Sequence, residues 1–274
     1  MKQYTITLVS LLSMGLFYSP LCGAGITPLD GEITKKIEEK IEKKITEDER
    51  EPPEWYSTSF VDKNKEEVQA SAYQVKVDAV VRNLFEAKDI QPVAAQLKQI
   101  DLELTGFYQQ YWKAYLYYYE AVFYQTIAHK EAEAEKAIDA SLAILQTQSY
   151  ENSEYYALLA MCTSFSIQYV NILKLSRVSA AVIEYGQKAL VLNKSNLRAY
   201  YILASHNYHT PKMFGGMEKV EDYALKGLTC PDSLESSDFT PSWGRELLYQ
   251  LLVRFYEKEG RTRDLQQLQK NHPS

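Results

Sequence analysis

Two adjacent glycines, Gly215 and Gly216, stand directly before a helical pattern, which is an arrangement whose backbone N–H groups can bind a phosphate. A phosphate loop needs a β-strand before it and usually a Lys-Ser or Lys-Thr pair after it. Here a helical segment precedes the glycines, and Met217 and Glu218 follow them, so an acid at the helix N-terminus would repel phosphate. We therefore interpret the glycines as a turn with positive φ between two helices, the first of which ends at Pro211.

A metal site is the second chemical possibility, because His206 and His209 lie three residues apart and can share one face of a helix. Metal sites need three or more ligands, and no Asp, Glu or Cys accompanies these histidines at a suitable spacing. His129 and His272 add no ligand. We expect no metal and no cofactor, and we predict capping or interface roles for the histidines.

Catalytic motifs are missing from the sequence, which has no Gly-x-Ser-x-Gly, no His-Glu-x-x-His and no cysteine positioned by a recognisable histidine. Its paired acids lie in charged helical faces, where solvation is the default. We therefore expect that the protein is not an enzyme. The net charge is −6, with Lys and Arg scattered among the acids, which argues against a nucleic-acid-binding protein because such proteins carry a basic patch.

Tyrosine is the unusual residue of this chain, which has 22 Tyr and only 9 Phe. In the helical segment Phe107–Tyr124, aromatic residues surround much of the helix. We favour packing inside the protein, because aromatic stripes on helices usually belong to a core. In the alternative, some hydroxyl groups reach water and the rings line a concave groove for a partner or ligand. Seven residues make up this candidate groove: Tyr108, Tyr111, Trp112, Tyr115, Tyr118, Tyr155 and Tyr200.

The N-terminus has the pattern of an export signal: Lys2 supplies a positive charge, and the apolar stretch Ile6–Tyr18 follows. That stretch is too short to span a bilayer, which takes roughly 20 residues. Small residues at Cys22 and Ala24 predict cleavage after Ala24 and a periplasmic or secreted protein. Lipidation of Cys22 is the less favoured alternative, because the bulky Leu21 precedes it.

A highly charged segment, residues 25–56, follows the predicted signal peptide of residues 1–24. Isoleucines recur at every fourth position from Ile33 to Ile45, which would place them along one side of a helix. We favour a flexible charged spacer, because the stripe is one residue wide; a helix that binds a partner or oligomerises is the alternative. Residues 57–271 are the predicted folded domain.

Helical periodicity continues through that domain, with short links that favour antiparallel neighbouring helices. Asn152 or Ser153, then Ser195 and Ser242, stand where helix caps are expected. The segment Lys188–Ala204 has the small-residue and aromatic spacing of a tetratricopeptide repeat. We therefore predict an all-α fold of tetratricopeptide-like hairpins that form a right-handed superhelix, or α-solenoid.

The later part of the chain carries a Thr-Pro-x-x-Phe-Gly-Gly turn and a Pro-x-Trp-Gly element. With these motifs, residues 107–260 resemble exported tetratricopeptide-like proteins of Bacteroidetes-type bacteria. The turn also resembles the periplasmic T-component of TRAP-type transporters. Met217 departs from the family, in which a small polar residue or Gly follows the two glycines, and Val220 replaces an Ala. The matching motif residues are Arg198, Tyr200, Leu203, Thr210, Pro211, Phe214, Gly215, Gly216, Pro241, Trp243 and Gly244.

The functional expectation is a binding or scaffold protein whose partner is another envelope or periplasmic protein. The alternative, implied by the transporter resemblance, is a small-molecule carrier or transporter accessory with a tyrosine-lined cavity. Cleavage of the signal would leave Cys162 and Cys230. We expect Cys162 to be a buried free thiol, and a disulfide between the two is the less favoured alternative.

Overall fold

The computed structural model describes residues 71–233 and 237–271, and the predicted signal peptide, the charged segment and the start of the predicted domain lie outside them. The described residues form helices and no β-strand, which confirms the all-α class. Two short 3₁₀ turns, Ile167–Tyr169 and Lys212–Phe214, interrupt the α-helices. The α-helices are α1 (Ala72–Glu86), α2 (Gln91–Glu103), α3 (Gly106–Thr126), α4 (Glu131–Thr147), α5 (Ser153–Ser166), α6 (Ile172–Leu192), α7 (Leu197–His209), α8 (Val220–Leu228), α9 (Arg245–Lys258) and α10 (Thr262–Asn271).

Consecutive helices pair as antiparallel hairpins, α1 with α2, α3 with α4, α5 with α6 and α7 with α8. In the first three hairpins a side chain near the start of one helix bonds to the end of the next. These bonds join Tyr73 to Glu103 (3.3 Å), Gln110 to the Leu145 carbonyl (2.8 Å) and Ser153 to the Ala189 carbonyl (2.8 Å). In the fourth hairpin Gly227, near the end of α8, lies against Tyr200, near the start of α7.

The odd-numbered helices run in the same direction, side by side. Their contacts join residues at similar distances from the helix starts. They are Phe85 with Phe123 (rings 6.0 Å apart), Tyr118 with Phe165 (5.6 Å), Glu154 with Arg198, and Tyr208 with Lys258. The C-terminal halves of these helices therefore lie at one common end of the domain.

Helix starts explain part of the sequence pattern. The Asn152 side chain accepts hydrogen bonds from the backbone N–H groups of residues 154 and 155, so this predicted cap is confirmed. The prediction for Ser195 was wrong by one position, because Asn196 caps α7. The prediction for Ser242 was also wrong: Gly244, at φ 116°, is the residue before α9. This positive φ favours glycine, and a Cβ atom there would also lie 2.7 Å from the Leu197 side chain, which would have to shift.

The turn between α7 and α8 contains the glycine pair. Gly215 has φ 79°, which confirms the predicted positive φ at this position. Gly216 is needed for a different reason, because a Cβ atom there would lie 1.7 Å from the carbonyl oxygen of Thr210. Asn207 fixes the turn by donating to the Gly215 carbonyl (2.9 Å) and accepting from the Lys219 N–H (2.8 Å). Met217 has φ 71°, in the left-handed region that favours glycine.

Candidate binding face

The connection between α8 and α9 contacts helices that are far from it in the sequence. Residues 237–244 of this connection cross to the beginnings of α1 and α3, and we call them the crossing segment. Four hydrogen bonds hold it there. They are Tyr73 N–H to the Asp238 carbonyl (3.0 Å), Trp112 Nε1 to the Phe239 carbonyl (3.0 Å), Tyr108 with Thr240 (3.2 Å), and Ser242 N–H to Gln74 (3.1 Å).

Trp243 anchors the end of the crossing segment among the predicted groove residues. Its indole N–H donates to the Tyr111 hydroxyl at 2.9 Å, and its ring lies 5.7 Å from that of Tyr115. Tyr111 and Trp112 are fully buried and Tyr115 is 2% exposed. Burial raises the pKa of Tyr111 well above its usual value, and the nearby carboxylate of Glu154 adds to the shift. These three aromatic side chains are therefore interior residues.

Tyr155 is also buried, and its hydroxyl donates to the Leu145 carbonyl at 3.0 Å. Four of the seven predicted groove residues, the buried ones, thus pack inside the protein, as in the favoured interpretation. They cannot line a groove on the surface, because the chain itself covers them.

A buried ion pair positions the crossing segment. Arg198 is fully buried and Glu154 is 4% exposed. The guanidinium donates to both carboxylate oxygens, at 2.6 and 2.7 Å, and also to the carbonyls of Asp232 (2.6 Å) and Trp243 (3.0 Å). Asn196 donates to Glu154 at 3.1 Å. Arg198, identified as a motif residue, therefore connects α5, α7 and both ends of the connection before α9.

The other three predicted groove residues are half-buried and lie apart. Tyr108 contacts Thr240 of the crossing segment. Tyr200 faces α8, with its ring 6.5 Å from that of Tyr223. Tyr118 lies beside Phe165 near the far ends of α3 and α5. The structure does not bring these three tyrosines together on one surface.

A different surface, at the C-terminal ends of the odd-numbered helices, is not covered by any residue in the described ranges 71–233 and 237–271. Tyr118, Phe165 and His209 each come twelve residues after the start of their helix, which corresponds to about 18 Å along it. Lys258, the last residue of α9, lies at a similar distance from the start of its helix. We define the distal face as Tyr118, Phe165, His209, Arg254 and Lys258. Each of them is half-buried or exposed. The sequence reasoning missed Phe165 and Arg254; the signal that could have found them is their position late in parallel helices.

His206 lies between helices and not in a metal site. Its Nε2 is 2.9 Å from the Ser179 hydroxyl of α6, and burial lowers its pKa to about 4. The imidazole is therefore neutral near pH 7 and occupies an interface between α6 and α7. Within the described residues, no group of three or more His, Cys, Asp or Glu side chains could hold a metal ion.

Cys162 and Cys230 are both buried free thiols, so the structure contains no disulfide between them. Cys162 lies 3.2 Å from the Ser141 hydroxyl, and burial raises its pKa to about 12. The expectation of a buried free thiol is confirmed for Cys162. Among the helices described, none is long and apolar enough to cross a bilayer.

Comparison with known proteins found no matching family model and no matching curated protein. Among solved structures, the HusA haemophore from Porphyromonas gingivalis is similar to this chain with a TM-score of 0.48 and 23% sequence identity. The similarity covers 71% of this chain and 96% of that protein. The functional assignment therefore depends on the residues of this chain.

Proposed function

We propose that the protein is an exported binding protein whose hairpins form a tetratricopeptide-like, right-handed superhelix. Its partner is another protein of the cell envelope, and the distal face is the surface that binds it. Cleavage after Ala24 releases the protein into the periplasm or the medium. Two features support the superhelix: the hairpins are antiparallel, and their first helices run side by side, so that each pair packs on the next.

The observation that carries the binding function is the composition of the distal face. Tyr118 and Phe165 keep part of their rings at the surface although both pack against the core cluster. Arg254 and Lys258 lie at the same end of the domain, on α9. Aromatic residues and arginine are enriched in protein–protein interfaces and among the residues that contribute most of the binding free energy. The distal face is also the part that the crossing segment leaves open.

Crosslinking in intact cells tests this proposal. We expect the wild-type protein to capture a discrete envelope protein, and a Tyr118→Ala, Phe165→Ala double variant to lose that capture. Tyr117→Ala is the matched control, because Tyr117 is also half-buried and points away from Tyr118 on the same helix. Each variant must keep the wild-type circular dichroism spectrum and a cooperative thermal transition.

Two outcomes would overturn the proposal. One is capture that the double variant leaves unchanged. The other is the absence of any captured protein. A stoichiometric small molecule, detected by native mass spectrometry of the purified mature protein, would then identify the protein as a small-molecule carrier instead.

A further inference from the structure

Two sets of polar and aromatic side chains meet at the end of α7 and α9. Arg254 and Lys258 are four residues apart and therefore share one face of α9. Tyr208 and His209 lie in the last turn of α7, which runs parallel to α9. Tyr201 lies about two turns earlier on α7, with its ring 6.2 Å from that of Trp243. The Lys258 ammonium lies 4.9 Å above the ring of Tyr208, which joins the two helices at this end. The ring of His209 lies 5.1 Å from that same tyrosine ring.

Arg254 differs from the other arginines of the described residues. The buried and half-buried ones pair with carboxylates: Arg198 with Glu154, Arg245 with Asp232, and Arg261 with Glu221. The remaining ones are exposed: Arg82, Arg177 and Arg263. Arg254 is half-buried, yet in the described part of the chain it has no carboxylate partner. Its one hydrogen bond runs from Nε to the Gln250 carbonyl of its own helix, at 3.2 Å.

The guanidinium therefore has donors to spare, since it carries five N–H groups. Burial of a charge without a counter-charge is unfavourable. An anion that binds such an arginine therefore gains more binding free energy than it would at an arginine on the open surface. The nearby acids supply little compensation. Glu257 is exposed and forms no ion pair with a described residue, and Glu259 is bound to Lys212 at 2.8 Å.

The tyrosines around Arg254 fit an anion as well. Burial raises the pKa of Tyr201, while Arg254 and a hydrogen bond with Ser205 oppose that shift. Burial also raises the pKa of Tyr208, again opposed by Arg254, and the carboxylate of Glu257 adds to the rise. Both hydroxyl groups are therefore neutral near pH 7 and able to donate a hydrogen bond.

We propose that Arg254 and Lys258, together with Tyr201, Tyr208 and His209, form an anion-binding subsite for a carboxylate of an acidic segment of the protein partner. This inference rests on the proposed binding function and adds the chemistry of the partner. A guanidinium can bind a carboxylate through two parallel hydrogen bonds, and the tyrosine rings supply apolar walls. Because the chain as a whole carries a net charge of −6, a local pair of cations favours docking of an acidic segment at this subsite.

The subsite can be tested without the partner by titrating the mature protein with acetate. The probe signal is the Nε–H resonance of Arg254 in the NMR spectrum, assigned by its loss in Arg254→Lys. We expect a saturable shift in the millimolar range, at least threefold larger than that of the exposed Arg177. Equal shifts at the two arginines would overturn the proposal, since they would show only general screening.

The captured partner provides the second test. We expect Arg254→Gln to weaken binding at least tenfold and to flatten its dependence on salt, whereas Arg177→Gln changes neither. Tyr118→Ala should weaken binding and leave the salt dependence as it is. If the partner is captured and Arg254→Gln binds it with unchanged affinity, the subsite proposal is wrong and the proposed function stands. If no protein is captured, the proposed function fails, and the acetate titration still decides whether the anion site exists.

Discussion

The carboxylate of Glu154 and the guanidinium of Arg198 form a two-point ion pair, at 2.6 and 2.7 Å, with both side chains buried. Breaking a buried pair on one side leaves the other charge without compensation and costs about 3–5 kcal/mol. We therefore expect Glu154→Gln and Arg198→Met each to lower the free energy of unfolding by that amount. Urea unfolding measures it.

The double variant provides the check on this explanation. Because neither charge is then left alone, Glu154→Gln with Arg198→Met should cost clearly less than the sum of the single changes. The exposed pair between Asp222 and Lys226 is the control, and Lys226→Met should leave the urea midpoint within error of wild type. Additive costs in the double variant would contradict the ion-pair explanation.

Tyr111→Phe tests how strongly the crossing segment is held. The change removes the acceptor of the Trp243 indole N–H, which is buried. An unsatisfied buried donor costs about 1–3 kcal/mol, so we expect a loss of that size in the free energy of unfolding. Tyr117→Phe, at a half-buried tyrosine, is the control and should have little effect. Equal stabilities of the two variants would show that this hydrogen bond contributes nothing.

The two glycines of the turn should respond differently to substitution. Gly215 needs only a positive φ, so Gly215→Ala should cost about 1–2 kcal/mol, and Gly215→Val more because a β-branched residue resists that conformation. Gly216→Ala would bring a Cβ atom against the Thr210 carbonyl oxygen, which belongs to the backbone and cannot rotate away. We expect a loss of about 3 kcal/mol or more. Thermal unfolding of the three variants gives the order, and a milder effect at Gly216 than at Gly215 would be inconsistent with it.

His206 should make stability depend on pH. Its folded pKa is about 4, against 6.5 for an ordinary histidine, so the unfolded chain binds more protons between those values. Stability should therefore fall as the pH is lowered from about 6.5 towards 4. Urea midpoints at pH 7.5 and 5.0 measure the fall, which His206→Gln should reduce and His129→Gln should not. An NMR titration in which the His206 ring protonates near pH 6.5 would refute the assignment.

The two thiols should differ in reactivity. Iodoacetamide reacts with the thiolate, and burial with a raised pKa suppresses that form of Cys162. In the native mature protein we expect Cys162 to stay unmodified until urea unfolds the chain, with Cys230 reacting first because it lies nearer the surface. Peptide mapping by mass spectrometry distinguishes the two. A recovered disulfide-linked peptide pair would contradict the free thiols.

Helical periodicity and short links made the hairpins predictable from sequence, because both are local properties of the chain. The site was less predictable, as Tyr111 and Trp243 show. They are 132 positions apart, and nothing in the local pattern around either one indicates the other. Buried charges posed a similar problem, since Glu154 in its sequence context looks like an acid on a solvated helix. Arg254 likewise stands out only once its neighbours in space are known.

The crossing segment has a consequence for the order in which the protein folds. The hydrogen bond of Trp112 with the carbonyl of Phe239 can form only after 127 more positions of the chain have been made. The hydrogen bond of Gln74 with Ser242 needs 168 more positions. The early hairpins can form as they emerge, but their aromatic faces remain uncovered until most of the chain has been delivered. A chain that stops short of residue 237 would therefore expose rings that the complete protein hides, which makes such a fragment a natural substrate for chaperones and proteases.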